Sequence, residues 1–239
     1  MISLNLLVTK MKIDILASGS SGNSYVLTAD NGRKLILDAG IRFKEITRQL
    51  DYDLLLVDGV LITHNHKDHS LSAADFEKSG IRVWKPYQDE NKVQKAVFGE
   101  WKVMSFDLPH DGEPCVGYLI ERNGFRLLYL TDLEYCKYNF KSLSVDAIIC
   151  ETNYQDEYLQ KDSGAYLHKV SGHMGLNACR DFIRANRTDK LKTVILCHMS
   201  FVTANPDECI EEIRKVVSDD CLVQVATAGK EITLNEDQD

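Results

Sequence analysis

The chain has 239 residues, and its 28 lysines and arginines stand against 36 aspartates and glutamates, which gives a formal net charge of −8 at pH 7. This length predicts one large domain or two small ones, with one α/β domain as the simpler choice. An acidic chain lacks the overall basic charge of many nucleic-acid-binding proteins. No apolar run approaches the ~20 residues that span a membrane. The composition therefore weakens a nucleic-acid function without excluding it, and it argues against a membrane protein.

Seven widely spaced cysteines form no Cys-x-x-Cys pair. This odd number argues against a disulfide framework and favours small buried side chains in a reducing compartment, so we predict a cytoplasmic protein. Residues 1–10 lack the basic start and cleavage site of a signal peptide. Because Met11 directly precedes the first clear strand pattern, we predict a single domain over 11–235 and an N-terminal extension over 1–10.

The predicted elements alternate short β-rich runs with helices. The patterns predict strands at 13–16, 24–27, 34–37, 54–63, 82–84, 101–107, 116–121, 126–131, 147–151, 193–197, 223–227 and 231–234, and helices at 41–50, 73–79, 177–186 and 206–217. Asn31-Gly32 is typical of a hairpin turn. Ser70 or Ser72 is the expected N-cap of the helix at 73–79, and Gly80 is its expected stop.

A dense group of possible metal ligands follows the strand predicted at 54–63. Residues 64–69 read His-Asn-His-Lys-Asp-His and hold three of the seven histidines. Since residues two apart in an extended segment point to the same side, His64 and His66 can converge on one ion, while Asp68 and His69 can reach a second. Imidazole and carboxylate ligands suit zinc, manganese or iron. The alternative is a solvated polar loop, which leaves this concentration of histidines unexplained.

Three more residues of the same kind each follow a predicted strand: His110, Asp132 and His198. A single histidine at a strand end is more often a surface or core residue than a ligand. Three such positions beside the cluster favour a common cleft, because loops at strand ends are held by a rigid sheet.

These residues together resemble the motifs of the metallo-β-lactamase superfamily over roughly residues 13–234. Asp38, in Leu35-Ile-Leu-Asp-Ala-Gly40, matches the first motif, and residues 64–69 match the second. The resemblance implies an α/β (α+β) fold, a four-layer αβ/βα sandwich. It also implies two divalent metal ions, with zinc favoured and manganese or iron as alternatives.

The ligand assignment is carried over from this resemblance. One metal would be held by His64, His66 and His110, the other by Asp68, His69 and His198, with Asp132 between them. Asp38 would fix the orientation of a ligand. True β-lactamases usually lack counterparts of His69 and Asp132, so the chain resembles the dinuclear branch that cleaves phosphodiesters or thioesters.

A narrower resemblance points to the cytoplasmic WalJ/YycJ-type exonucleases, with ribonuclease Z as a more distant relative. It rests on the stretches Leu16-Ala-Ser-Gly-Ser-Ser-Gly-Asn-Ser24, Glu151-Thr-Asn153 and Gly172-His-Met174. It implies that His173 lies near the scissile phosphate and that Glu151 orients it. Gly175, where serine or threonine is usual, and a short segment between Tyr154 and Gly172 depart from the pattern, which leaves the substrate open.

The chemistry implied by these residues is coherent. Two divalent ions about 3.5–4 Å apart can hold a bridging hydroxide and lower the pKa of water from about 15.7 toward about 7. Asp68 can orient that nucleophile or accept its proton, and His173 can protonate the leaving alkoxide. A role at the entry of the helix predicted at 177–186 is the alternative for His173.

We therefore predict a metal-dependent hydrolase of phosphodiesters, a nuclease resembling DNA exonucleases, with nucleic acid or another phosphodiester as its partner. A thioesterase, a small cyclic-phosphodiester hydrolase and an inactive metal-binding protein are the alternatives. The sequence does not predict DNA against RNA, cleavage polarity or oligomeric state.

Possible substrate-binding residues lie in two polar segments, and they are Ser18, Ser20, Ser21, Asn23 and Asn153. Successive backbone N–H groups in the glycine-rich loop at 18–24 can form an anion nest, although its glycines can equally serve a tight turn. Three arginines at 180, 184 and 187 form the densest basic region with two lysines nearby. For them we favour a solvated helix face over contact with phosphates.

Overall fold

Two mixed β-sheets form the centre of the molecule in this computed structural model, which describes residues 11–160 and 165–234. The strands are β1 Lys12–Ala17, β2 Ser24–Thr28, β3 Lys34–Leu37, β4 Val57–Leu61, β5 Val83–Trp84, β6 Lys95–Phe98, β7 Trp101–Leu108, β8 Cys115–Arg122, β9 Phe125–Leu130, β10 Ala147–Glu151, β11 Thr193–Cys197, β12 Leu222–Val225 and β13 Lys230–Thr233. One sheet has the order β13-β1-β2-β3-β4-β5, and the other has the order β12-β11-β10-β9-β8-β7-β6.

The helices lie mostly in the connections between these strands. They are α1 Phe43–Gln49, α2 Lys67–Ser70, α3 Ala73–Lys78, α4 Ala165–Gly172, α5 Leu176–Asn186 and α6 Pro206–Arg214. Among the helices of the described residues, none is long and apolar enough to cross a membrane.

Strand direction brings the ends of the strands that precede the predicted ligands to one edge of the molecule. In the first sheet β3 and β4 are parallel, and β1 runs the same way because it is separated from β3 by the antiparallel β2. In the second sheet β9, β10 and β11 are parallel, and β7 shares their direction because only the antiparallel β8 lies between β7 and β9. The loops after these strands therefore emerge side by side.

Alternation along the strands produces the layers. In β9, Leu127 and Tyr129 join the buried cluster between the sheets, whereas Leu128 and Leu130 join a second cluster with helices α5 and α6. Such period-two alternation is expected of a strand that is covered on both faces. With α1 and α3 contributing to the cluster of the first sheet, the layers run helix, sheet, sheet, helix, and the predicted αβ/βα sandwich is confirmed.

Several local predictions were incomplete or wrong. The strands predicted at 147–151 and 193–197 match β10 and β11, but β6 and α4 were missed. Ser72 precedes α3 as expected, yet no serine hydroxyl caps this helix, because Ser72 Oγ donates to the Ile41 carbonyl and Ser70 Oγ to the carbonyls of Asn65 and His66.

Other local predictions agree with the structure. All seven cysteines are free and six are buried, as expected of small core side chains. The predicted extension at 1–10 lies outside the described residues, and the single domain over 11–235 stays a prediction.

Candidate metal centre

The predicted ligands meet at the shared edge of the two sheets. His64 follows β4, His110 follows β7, Asp132 follows β9 and His198 follows β11. His64, His69, His110, Asp132 and His198 are each at most 3 % exposed. His66 and Asp68 are more accessible, since they sit where the chain turns into α2. Residues far apart in sequence thus form one buried polar cluster.

Three residues of this cluster have strained backbones. The φ angles of Asp38, Asp132 and His198 are 55°, 50° and 49°, in the left-handed region that favours glycine. Each such residue typically costs about 1–3 kcal/mol and persists only where its surroundings hold it in place, which is common at functional sites. At all three positions the chain turns sharply just after a strand, and the turn directs a polar side chain into the cluster.

Asp38 orients the ring of His69 through a hydrogen bond to Nδ1. The buried Asp38 carboxylate accepts hydrogen bonds from the Thr63 backbone N–H (2.8 Å), the Tyr129 hydroxyl (2.6 Å) and His69 Nδ1 (2.8 Å). Because the proton of His69 is then on Nδ1, its Nε2 carries the lone pair. His69 Nε2 accepts a hydrogen bond from the Asn23 amide (2.9 Å) and lies 3.3 Å from Asp132 Oδ2.

The other histidines are oriented in a similar way. His110 Nδ1 donates to the Gly172 carbonyl at 2.7 Å, which leaves its Nε2 toward the cluster. His64 Nδ1 contacts Thr63 Oγ at 3.1 Å. Partners of this kind fix both the tautomer and the ring orientation of metal-binding histidines.

Two of the sets of side chains that could each hold a metal ion consist of predicted ligands, and Asp132 belongs to both. One set is His64, His66, His110 and Asp132, and the other is Asp68, His69, Asp132 and His198. Within each set the candidate ligand atoms lie within 4.8 Å of one another. The structure therefore brings together every metal ligand predicted from the sequence.

The unsatisfied atoms of the cluster fit metal ions. Among the described residues, Nε2 of His64 and Nε2 of His198 are buried without a hydrogen-bond partner, a loss that typically costs about 1–3 kcal/mol. Burial, with the neighbouring His69, lowers the pKa of His64 well below its usual value, so this ring is neutral. Imidazole nitrogens and carboxylate oxygens around buried lone pairs are a suitable donor set for zinc and related ions.

His198 carries a sign of missing positive charge. Burial by itself lowers the pKa of His198, but Asp132 and the other nearby carboxylates outweigh burial and raise it to about 10. A divalent cation would supply the positive charge that the proton supplies here.

Glu151 and His173 form a pair beside the cluster. His173 Nδ1 lies 2.7 Å from Glu151 Oε1, and the His173 ring stacks on His198 with centroids 5.2 Å apart. Burial lowers the pKa of His173, but the Glu151 carboxylate reverses this and the net pKa is raised. Helix α5 begins after Gly175, so His173 is not its cap. These two residues, with Asp132 and His198, also form a third set with the spacing of metal ligands.

A pocket of about 570 Å³ opens onto the cluster. The loop after β1 contributes Ser18, Ser20 and Ser21, and Asn153 lies on another side. Asn23 does not line the pocket, because its buried amide exchanges hydrogen bonds with Gly19 and thereby shapes this loop. Four of the five predicted substrate-binding residues thus face the pocket.

Comparison with known proteins agrees with this arrangement. The family model described as "Metallo-beta-lactamase superfamily" matches residues 17–132, the part of the chain that runs from the loop after β1 to Asp132. The chain has the metallo-β-lactamase fold. Exodeoxyribonuclease YycJ of Bacillus anthracis is 26% identical over 225 residues, which cover 80% of this chain and 83% of the relative.

Two solved structures share this metallo-β-lactamase fold over nearly the whole chain. The metallo-beta-lactamase fold protein YhfI from Bacillus subtilis superposes with a TM-score of 0.72 at 17% identity, covering 94% of this chain and 99% of that one. The short form of human tRNase Z superposes with a TM-score of 0.59 at 16% identity, covering 94% and 100%. At these identities the comparison shows the fold alone.

Several residues of this site were not predicted from the sequence. Thr63 links Asp38 to His64, and its place directly before the histidine cluster was an available signal. Lys169 lines the pocket but lies on α4, for which no pattern was recognised. Phe201 and Val202 also line it, in a turn just beyond His198.

The interpretation of the arginine-rich region as a solvated helix face agrees with the ion pairs of two of its three arginines. Arg180 pairs with Glu212, and Arg184 pairs with Asp181. Both arginines are thus engaged with acidic neighbours, which agrees with a solvated helix face.

Proposed function

We propose that this chain is a dinuclear metal-dependent phosphodiesterase, and more narrowly a nuclease that acts on DNA ends. The observation that carries the proposal is one pocket in which two candidate metal sets share Asp132 and lie against the His173–Glu151 pair. The name of one relative supports it, since the protein of Bacillus anthracis is called an exodeoxyribonuclease.

The predicted ligands are assigned to two ions. His64, His66 and His110 hold the first, Asp68, His69 and His198 hold the second, and Asp132 is shared. Zinc is favoured, and manganese and iron suit the same donors. When bound, such ions polarise the phosphoryl oxygen and make water a better nucleophile near neutral pH.

The side chains of the pocket then handle the protons. Water attacks phosphorus, Asp68 accepts the proton that the water gives up, and the P–O bond to the leaving group breaks. His173 Nε2 donates a proton to the departing oxygen, and Glu151 holds His173 through Nδ1. Glu151 is itself fixed, because its Oε2 accepts from the backbone N–H of Leu133 at 2.9 Å. Asp38 keeps His69 in the tautomer with Nε2 toward the cluster.

The His173–Glu151 pair favours a phosphodiesterase over a thioesterase. An alkoxide leaving group needs a proton, whereas a thiolate is stable enough to leave without one, because thiols ionise with a pKa near 8.5. Glu151 and His173 could instead be ligands of a third metal set. The 2.7 Å contact between them favours a hydrogen bond that orients a proton donor.

A leaving-group comparison tests this role. Purified metal-loaded His173→Ala is assayed on a 5′-phosphorylated oligonucleotide, whose leaving group is an alkoxide, and on bis-p-nitrophenyl phosphate, whose leaving group needs no proton. We expect kcat on the oligonucleotide to fall about 10²–10⁴-fold, the usual range for general acid catalysis. The aryl ester should be cleaved at nearly the wild-type rate. Equal losses on both substrates would contradict the proton-donor role.

Substrate class is tested with the wild-type protein. Side-by-side cleavage of 5′-phosphorylated duplex DNA, single-stranded DNA and RNA, with a thioester as comparison, gives the preference directly. We expect DNA to be cleaved and the thioester to be inert. Absence of cleavage on the whole nucleic-acid panel by protein that has bound its metals would refute the nuclease proposal. A cytoplasmic location stays a prediction.

A further inference from the structure

The lining of the pocket includes a cation and an exposed aromatic ring. Lys169 projects from α4, and Phe201 sits in the turn that follows His198. Of the described residues that line the pocket, Lys169 is the one lysine or arginine. Phe201 is 67% exposed although its ring is large and apolar. A metal centre needs neither feature, so Lys169 and Phe201 indicate a separate function.

The ammonium group of Lys169 is held by neutral oxygens. Its Nζ donates to Asn153 Oδ1 at 3.0 Å and to Thr203 Oγ1 at 2.9 Å. Among the described residues it makes no salt bridge, so its charge is not cancelled by a carboxylate in direct contact. Because an ammonium group has three donors, one remains available to an anion in the pocket. Asp68 and Asp132 line the same pocket, and their carboxylates repel an anion. The ammonium group of Lys169 therefore provides the attraction that an anionic ligand needs.

The turn that carries Phe201 is fixed in place. Ser200 N–H donates to the Asn153 carbonyl at 3.1 Å, and Thr203 N–H donates to the Ser200 carbonyl at 2.9 Å. Lys169 binds the same turn through Thr203. The ring is thus presented at the pocket mouth by a hydrogen-bonded loop, and its exposure is maintained by the fold.

We infer that Lys169 and Phe201 form a nucleotide subsite that takes one unpaired nucleotide of a nucleic-acid strand. Lys169 contacts a phosphate oxygen, and Phe201 stacks on the base of that nucleotide. Aromatic side chains beside a cationic groove are a general means of binding single strands, because every base offers a π-face. The inference rests on the proposed function and narrows it to an unpaired or frayed strand end, since a base within a duplex is already stacked on its neighbours.

Fluorescence of 2-aminopurine tests the stacking directly. A set of single-stranded oligonucleotides carries this base at each of the first three positions, and each is mixed with metal-loaded protein in a stopped-flow instrument. With wild type and with Phe201→Tyr, the fluorescence of 2-aminopurine at one position should be strongly quenched before any cleavage takes place. Phe201→Ala should lose that quench. Leu55→Ala is the matched control, because Leu55 is 86% exposed but precedes β4, at the end of the strand opposite His64.

Kinetics on an intact strand and on a matched strand with one abasic site separate the contribution of the base from that of the phosphate. Phe201→Ala should lower kcat/KM on the intact oligonucleotide by about 5- to 150-fold. It should have no effect on the same strand with an abasic site at the quenched position. Lys169→Met should lower kcat/KM on both strands equally, by about 10-fold or more. Lys95→Met, an exposed lysine on the edge strand β6, should match wild type.

The outcomes separate the two proposals. Cleavage of oligonucleotides without a Phe201-dependent quench, or equal losses for Phe201→Ala on intact and abasic strands, would overturn the subsite and leave the nuclease standing. A Phe201-dependent quench without any cleavage would support the subsite and refute the nuclease. If Phe201→Ala instead converts a dimer to a monomer in sedimentation and leaves the quench intact, the turn is an interface between copies and the subsite is wrong.

Discussion

The inner and outer parts of the pocket are held by different kinds of structure. The inner part consists of residues one to three positions after strands, such as His64, Asp132 and His198, which are at most 2 % exposed. The outer wall consists of Lys169 on α4 and the turn with Phe201, which are joined through side-chain hydrogen bonds to Asn153 and Thr203. The sheet fixes the inner part, whereas loop contacts fix the outer wall.

This difference indicates separate functions for the two parts. A metal centre tolerates little movement, because its ligands must converge within a few tenths of an ångström. Recognition of a strand needs only a stable platform with the right charge and shape. Variants of the inner part should therefore alter metal binding together with activity, while variants of the outer wall should alter substrate use alone.

Asp132→Ala should have the largest effect. Asp132 belongs to both candidate sets of metal ligands, so its removal should lower the content of both ions. The loss in kcat should exceed the roughly 10–100-fold loss that is typical of residues that only orient a ligand. Metal analysis of the purified variant beside phosphodiesterase assays provides the measurement. Retention of two ions per chain with normal turnover would contradict a shared role for Asp132.

Gly40→Ala should disturb the inner part through packing. A Cβ at Gly40 would lie 1.6 Å from the carbonyl oxygen of Asp68, so the α2 segment must shift. We expect a loss of about 1–3 kcal/mol in the free energy of unfolding, and a shift near 1 Å can reduce turnover about 10²-fold. Urea unfolding and kcat measure the two effects.

Asp38→Asn should have a smaller effect on the same part. The carboxylate accepts hydrogen bonds from His69, Thr63 and Tyr129, and an amide cannot accept all of them. We expect about 10–100-fold weaker metal binding, measured by competition with a chelator. Tyr129→Phe removes a single donor and should weaken binding less. An Asp38→Asn variant with unchanged affinity would show that His69 is not oriented in this way.

Thr203→Val should have the smallest effect and should confine it to the outer wall. The substitution keeps the shape of the side chain but removes an acceptor of Lys169. We expect kcat/KM on oligonucleotides to fall about 2- to 10-fold, with metal content unchanged. A loss of metal in this variant would show that the two parts are not independent.

The same division explains what the sequence could predict. Asp132 and His198 were recognisable because β9 and β11 end in apolar runs, at 127–130 and 194–197, after which a polar residue stands out. The four layers followed from the family resemblance, whereas the alternation of strands with helices indicated only an α/β architecture. In contrast, Lys169 lies on a short helix whose pattern is weak, and its contacts with Asn153 and Thr203 join positions 16 and 34 residues apart. Periodicity carries no information about such contacts.

The hydrogen bonds of Asn23 show the same limit on a smaller scale. The sequence suggested that Asn23 contacts substrate, because it lies in a polar glycine-rich loop. The structure places its amide against His69, contributed by a segment 46 residues away. Only the folded chain shows which side of that loop faces the pocket.

Anomalous scattering from crystals of the metal-loaded protein tests the central claim most directly. The account predicts two peaks, one enclosed by His64, His66 and His110 and the other by Asp68, His69 and His198, with Asp132 between them. His173 and Glu151 should remain hydrogen-bonded to each other without a metal. A single peak, or a peak bound by His173 and Glu151, would contradict the account.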